Sequence, residues 1–358
     1  MVLVLLNIKG QLLAVLAGLV LALLLGWLSY RYVEIPTRKG LSSKSMISSL
    51  VSLSFGMLLV GVGSALVLNN DGFPSRVSPQ ANAIFDEAKN KNPRLGACAA
   101  QASKIGSGDN PVPNCTYGDA GEVGAVIVGD SHSSSLVTSL KAAMGRVDVL
   151  QWTANACPLA VGIYSKNETH RCPDFLAWVL KRSKELPSNV PIVLANRFSL
   201  YLNGPNEVDP PLEKLVFQFT SEDGDIKSVG YSNRMRDGII KAVCELAENR
   251  DVYIVKPIPE LGFNVPASMG RSMIIDVPTR VSVTMKQYVK RNEFALATLD
   301  LAVEQCGVKI LDPIPYLCDK DNCWGDANGL PIYFDDDHLN ERGSEILVPM
   351  FRAVVSQK

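Results

Sequence analysis

Two stretches without a single charge, residues 10–30 and 45–70, run for 21 and 26 residues. Each exceeds the roughly 20 residues needed to span a bilayer core, so the sequence predicts two membrane spans close together near its start. The 288 residues from 71 onward are of mixed composition, enough chain for one large domain with its own core.

Charge orients this hairpin. The net charge of −1 divides into +4 over residues 1–70 and −5 over the rest. Arg31, Arg38, Lys39 and Lys44 cluster between the two apolar stretches, and short loops rich in Lys and Arg stay cytoplasmic. Both ends of the hairpin, and with them the large domain, are therefore expected outside the cytoplasm. The mildly acidic large part argues against a nucleic-acid surface. A cleaved signal peptide is the alternative for the first stretch. It would need an apolar core of roughly 7–15 residues and a small-residue cleavage site. The run Gln11 to Leu28 is longer, and Ser29-Tyr30-Arg31-Tyr32 offers no such site.

Cysteine usage agrees with that topology. All eight cysteines follow the second stretch, as expected for disulfides in an oxidising compartment. Close spacing pairs Cys98 with Cys115, Cys157 with Cys172 and Cys318 with Cys323, leaving Cys244 for Cys306. No C-x-x-C pair occurs, which argues against zinc, and no metal is expected.

Residues 71–120 read as an extracytoplasmic connector, and 121–358 as an α/β domain. The β-branched run Glu122 to Val128 looks like a buried strand, and Gly129-Asp130-Ser131-His132 and a helix through Met144 follow it at once. Similar runs recur at 147–152, 190–195, 252–255 and 308–311, with helical stretches at 173–185, 233–248 and 285–305. That alternation predicts a parallel sheet covered on both faces, with the functional site at the carboxyl ends of its strands.

Ser131 stands at such an end, between strand and helix, where backbone N–H groups and the positive helix terminus favour negative charge. A serine nucleophile needs a base, and the base needs a carboxylate to fix its tautomer. The chain has three histidines, His132, His170 and His338. His132 adjoins the serine and is expected to shape its turn, and His170 lies in a polar loop beside Cys172. His338 is the favoured base, with Asp335 three residues before it on the same turn. The adjacent Asp335, Asp336 and Asp337 are the weaker candidates for a cation site, because hard-ion ligands are usually spaced through a loop.

Gly129-Asp130-Ser131-His132 and Asp335-x-x-His338-Leu339 resemble the first and last blocks of the SGNH (GDSL-like) hydrolase superfamily. Further segments resemble the SGNH domain fused to acyltransferase-3 membrane proteins, the O-acetyltransferases of bacterial surface polysaccharides. They are Gly72 to Arg76, Ala156-Cys157-Pro158, Leu194 to Tyr201, Lys256 to Glu260 and Tyr333 to Leu339. Arg31 to Lys39 looks like the cytoplasmic segment that closes the acyltransferase-3 bundle. On this resemblance residues 1–45 are the last span and loop of that bundle, 46–70 a linking helix, and 121–358 a three-layer SGNH domain. The chain is then expected to be the C-terminal part of such a protein.

The resemblance implies transfer of an acyl group, acetyl above all, to a sugar hydroxyl of a bacterial surface polysaccharide. Ser131 would carry the acyl group, His338 would move the proton and Asp335 would orient it. Asn196 matches the third-block asparagine, and Asn155 and Arg197 are further candidates for the oxyanion or substrate. The second-block glycine has no counterpart in Thr153-Ala154-Asn155-Ala156. Acetyl-CoA would be the ultimate donor, handled by a separate acyltransferase-3 component in the inner membrane, with no cofactor bound to this domain, which would face the periplasm. A membrane-anchored acetyl esterase and a non-catalytic glycan-binding domain remain as alternatives. The Asn-x-Thr sequons at Asn114 and Asn167 are given no role in a bacterial setting.

Overall fold

A computed structural model describes residues 12–70, 72–100, 115–166, 171–206, 219–225, 228–277 and 279–355. His170 and the sequon residues Asn114 and Asn167 lie outside the described residues. The chain divides into two compact units, residues 1–82 with 270–278, and residues 83–269 with 279–358.

The first unit holds the two uncharged stretches as helices α1 (Leu12–Ser29) and α2 (Met46–Asn69). Both helical segments are long and apolar enough to cross a membrane, and none of the side chains described in them is buried. The basic segment between them is not an open loop. α1 continues through a π-helical stretch at Tyr30–Glu34 into a further helix, Ile35–Ser42. Arg and Lys are good helix formers, Pro36, which lacks an N–H to donate, follows directly on the π-helical stretch where the hydrogen-bond ladder changes register, and Glu34 pairs with Arg38 at 3.2 Å one turn on. The chain breaks only at residues 43–45, where Ser45 caps α2 by accepting from the Ser48 N–H.

The second unit is built on a sheet with seven strands among the described residues. They are β1 (Ala99–Ala100), β2 (Cys115–Tyr117), β3 (Val123–Gly129), β4 (Asp148–Ala154), β5 (Ile192–Ala195), β6 (Val252–Val255) and β7 (Lys309–Leu311). The parallel strands lie in the order β1-β4-β3-β5-β6-β7, while β2 pairs antiparallel with β4. The apolar runs at 122–128, 147–152, 190–195, 252–255 and 308–311 thus became the expected strands. The sheet also takes in Ala99–Ala100 and Cys115–Tyr117, which sequence placed in the connector. Each strand there is two or three residues long, too short for a periodicity to show.

Alternation along the strands separates two faces. Val126, Val128, Ile192, Leu194, Val252 and Ile254 join a core with α4 (Cys172–Ser183), α6 (Val229–Ala247) and α7 (Met285–Cys306). On the other face lies α3 (Ser131–Met144), which packs with α8 (Glu341–Ile346) and α9 (Val348–Val355). The architecture is therefore a helix–sheet–helix sandwich. All four expected disulfides are present, Cys98–Cys115, Cys157–Cys172, Cys244–Cys306 and Cys318–Cys323.

Strand order reverses at β3, whose neighbours β4 and β5 lie on opposite sides of it. A crevice opens at the carboxyl ends of strands at such a reversal. β3 ends there at Gly129 and β5 at Ala195.

Candidate active site

The turn after β3 is forced by packing. Gly129 has φ +152°, and a Cβ there would fall on the Ala195 carbonyl oxygen of β5. Only glycine fits so close an approach. Asp130 follows as the N-cap of α3, accepting from the His132 N–H at 2.9 Å. Its second carboxylate oxygen accepts from the Arg197 N–H at 2.8 Å and from the Tyr201 hydroxyl at 2.6 Å, Tyr201 lying on α5 (Phe198–Asn203). Asp130 thereby ties the β3 turn to the segment after β5 and presents Ser131 at the first position of α3.

The C-terminal turn brings the partner. A bridge between Tyr333 and Leu339 closes the loop, and Asp335 accepts from the backbone N–H groups of Asp337 and His338 at 3.1 and 2.8 Å. Its other oxygen lies 2.9 Å from His338 Nδ1. His338 Nε2 is 2.7 Å from Ser131 Oγ. Phe334 stacks on the imidazole, ring centroids 5.1 Å apart, and fixes its plane. Ser131, His338 and Asp335 are thus joined in one hydrogen-bonded line.

Asp337, which sequence singled out only within an acidic run, is the centre of a buried network. One oxygen lies 3.3 Å from His338 Nδ1, and the other lies 2.9 Å from His132 Nε2 and 3.2 Å from Arg197 Nε. Arg197 also donates to Glu260 at 2.7 Å and to Asn206 at 3.1 Å, and Arg291 reaches the same Glu260 oxygen at 3.0 Å. Burial works against a charged Asp337, but the charges of His338 and Arg197 and the hydrogen bonds from both histidines hold its carboxyl well below the usual range. Burial likewise works against a charged His338, and the carboxylates of Asp337 and Asp335 overcome it, raising the imidazole well above its ordinary value.

The remaining expected residues fall in different places. Asn196 is buried, its amide donating to the Cys157 carbonyl at 3.0 Å while its side-chain oxygen has no partner. Asn155 is exposed at the turn after β4. The Arg197 guanidinium is engaged by Glu260, Asp337 and Asn206, so it braces the site from inside and is not open to a substrate. The absent glycine leaves a mark: Ala156 has φ +55°, a left-handed backbone that favours glycine. His132, Asp337 and His338 place ligating atoms within 4.8 Å of one another. A cation there would face the Arg197 guanidinium on the same Asp337 oxygen, so the donor set suits an ion pair better than a metal.

Sequence reasoning missed Asp337, Glu260 and Tyr201 as parts of the site. A signal was present for two of them, since Tyr201 and Glu260 lie in the segments that directly follow β5 and β6, at the carboxyl ends where a site is expected.

The profile of SGNH domains fused to AT3 domains matches residues 97–353. The chain belongs to this SGNH family. Among solved structures, the SGNH domain here is similar to the periplasmic domain of a lipopolysaccharide acetyltransferase from Salmonella ser. Paratyphi A. That likeness has 11% identity and a TM-score of 0.49, over 76% of this chain and 96% of that one. The C-terminal catalytic domain of a Streptococcus pneumoniae peptidoglycan O-acetyltransferase, bearing a methylsulfonyl adduct, matches at 11% identity and TM-score 0.31, over 65% and 93%. A carbohydrate acetylesterase from Sinorhizobium meliloti matches at 12% and 0.34, over 65% and 97%. No curated protein matches the chain.

Proposed function

We propose that this protein is an O-acyltransferase that moves an acyl group, most simply acetyl, onto a hydroxyl of a bacterial surface polysaccharide through Ser131. The observation that carries the proposal is the line Ser131 Oγ–His338 Nε2–Asp335, with contacts of 2.7 and 2.9 Å, in a chain of the AT3-fused SGNH family.

With Nδ1–H donated to Asp335, Nε2 of neutral His338 is left to take the Ser131 proton as Oγ attacks the donor carbonyl. The developing oxyanion lies at the first turn of α3, where the Ser131 N–H and the helix terminus stabilise it. Asn196, whose amide also donates to the Cys157 carbonyl, is the side-chain donor that this reading assigns. Collapse expels the donor's leaving group, which takes the proton from His338. The acceptor hydroxyl then gives its proton to His338, attacks the acyl-serine carbonyl and regenerates the Ser131 hydroxyl. Aspartates 335 and 337 stabilise the imidazolium in each half.

In this reading α1 and α2 anchor the chain in the inner membrane with the SGNH domain in the periplasm. The four disulfides fit an oxidising compartment. Acetyl-CoA is the ultimate donor on the cytoplasmic side, and an acyltransferase-3 membrane component passes the acyl group outward. Hydrolysis is the same chemistry with water as acceptor, so an esterase is the second reading.

The test is to incubate detergent-solubilised full chain with 4-nitrophenyl acetate and oligosaccharide acceptors and follow products by mass. Acetylated sugar formed by the wild type and absent with Ser131→Ala supports transfer. Free acetate alone supports the esterase, and equal product from wild type and Ser131→Ala overturns both.

A further inference from the structure

Beside the catalytic turn lies a pocket of about 250 Å³ for which the reaction so far has no use. One wall is the loop after β6, carrying Glu260, Leu261 and Phe263, and the other is the first two turns of α7, with Gln287 and Arg291. The loop is fixed to the catalytic turn by backbone hydrogen bonds, from the Leu261 N–H to the Asp336 carbonyl at 2.8 Å and from the Val265 N–H to the Asp335 carbonyl at 2.9 Å. At the pocket's inner end Glu260 binds Arg197, which binds Asp337, which lies beside His338.

The lining joins an aromatic face to polar groups, as a sugar needs. Phe263 offers an aromatic ring, 39% exposed, on which the C–H face of a pyranose can lie. Gln287 accepts from the Thr284 N–H and hydroxyl through its side-chain oxygen, which leaves its amide hydrogens free to donate. Arg291 stands on the same wall, its guanidinium held by Glu260 and by the Gly204 carbonyl through Nη2. Charge decides between sugar classes. The guanidiniums of Arg197 and Arg291 are already balanced by the buried carboxylates of Glu260 and Asp337, so no net positive charge remains for a phosphate or a uronate. An acyl chain is disfavoured by the same polar groups, which it would bury unsatisfied.

From this we infer that the pocket is a subsite for one uncharged pyranose unit of the acceptor glycan, holding the sugar next to the one that is acylated. The inference rests on the transfer reading above and adds to it where the acceptor is gripped. The volume suits a single monosaccharide, since pockets for drug-sized ligands begin at about 300 Å³. It also predicts a split between the two half-reactions. Acyl loading of Ser131 does not involve this pocket, whereas capture by a sugar does.

Two variants of the full chain test it. Phe263→Ala removes the aromatic face. Gln287→Glu keeps the oxygen that caps α7 but replaces the amide donor with a charge. The acceptors are methyl glycosides of hexoses, 6-deoxyhexoses and N-acetylhexosamines and their disaccharides, with 4-nitrophenyl acetate as donor. The expected result is an acceptor KM raised about tenfold or more in both variants, while hydrolysis of 4-nitrophenyl acetate in the absence of sugar stays within about twofold. An unchanged acceptor KM in both variants overturns the subsite, and so does a parallel fall in hydrolysis, which would assign these residues to the fold or the chemistry. Saturation-transfer NMR of the same glycosides gives a readout independent of turnover. Wild type that binds sugar, with the signal lost in Phe263→Ala, keeps the subsite even if no acetyl transfer is seen, in which case it is the transfer reading that fails. Equal signals from both proteins overturn the subsite whatever the activity.

Discussion

His132 and His338 share one buried carboxylate. Asp337 lies 2.9 Å from His132 Nε2 with one oxygen and 3.3 Å from His338 Nδ1 with the other. Asp335 holds the same Nδ1 more closely, at 2.9 Å, but is more exposed. The imidazole of His338 therefore works between two negative charges, and its pKa rises well above the ordinary histidine value.

Opposite pH trends follow for activity and stability. In the proposed mechanism the base form of His338 is the working form, so activity should increase as pH rises through the elevated pKa. A raised folded-state pKa contributes stability that is complete below the unfolded value and is lost as pH rises through the folded one. Asp337, held low, contributes in the other direction: its stability is complete above the ordinary aspartate range and lost as pH falls through its folded value. Asp337→Asn should move the acidic limb of the kcat/KM profile to lower pH and flatten the alkaline decline of the melting temperature. An unmoved limb would show that Asp337 does not tune the base. Asp335→Asn should cost far more in kcat, up to about 10⁴-fold, because it also unsettles the tautomer.

The parts legible in sequence were those fixed locally. Strands β3 to β7 showed themselves as β-branched runs because both faces of the sheet are buried. Ser131, Asp335 and His338 stood out because a turn needs a recognisable short pattern. The roles of three consecutive aspartates were not legible, since their difference is tertiary: Asp335 is 28% exposed and Asp337 is 3% exposed, turned inward toward His132 and Arg197. Arg197 and Glu260 each lie in a segment that carries the family resemblance, but their pairing joins positions 63 residues apart and has no local signature.

Tyr201→Phe tests the anchor of the Ser131 turn. The Tyr201 hydroxyl donates to buried Asp130 at 2.6 Å, and removing it leaves that oxygen with the Arg197 N–H alone among its described partners. A hydrogen bond to a charged group contributes about 1.5–3 kcal/mol, so calorimetry should show a loss of that order. Because Asp130 also sets the first turn of α3, kcat should fall while KM for a small acetyl ester holds. Unchanged stability would mean that the turn is held by its backbone contacts without this bond.

Ala156→Gly should stabilise the protein, against the usual direction of such a change. Ala156 sits at φ +55°, where an L-residue costs about 1–2 kcal/mol. Glycine removes that cost and adds about 0.5–1 kcal/mol of chain entropy to the unfolded state. The expected net gain is about 0.5–1 kcal/mol, read from denaturant midpoints at unchanged m. A loss of stability would show that neighbouring packing, including the Cys157–Cys172 bridge, already absorbs the strain.

The four disulfides should differ in what they contribute. Cys244–Cys306 ties α6 to α7 across 62 residues, whereas Cys318–Cys323 closes a separation of 5. Loop-closure entropy in the unfolded chain gives about 4 kcal/mol for the first and about 2 kcal/mol for the second. The double variant Cys244→Ala/Cys306→Ala should accordingly lose about twice the stability of Cys318→Ala/Cys323→Ala in equilibrium denaturation. α7 also carries Arg291 and Gln287 at the pocket, so loosening it should weaken acceptor binding before it affects Ser131, whose turn is held by β3, β5 and α5. Equal losses from the two double variants would show that packing between α6 and α7, not the covalent tie, sets the stability of that face.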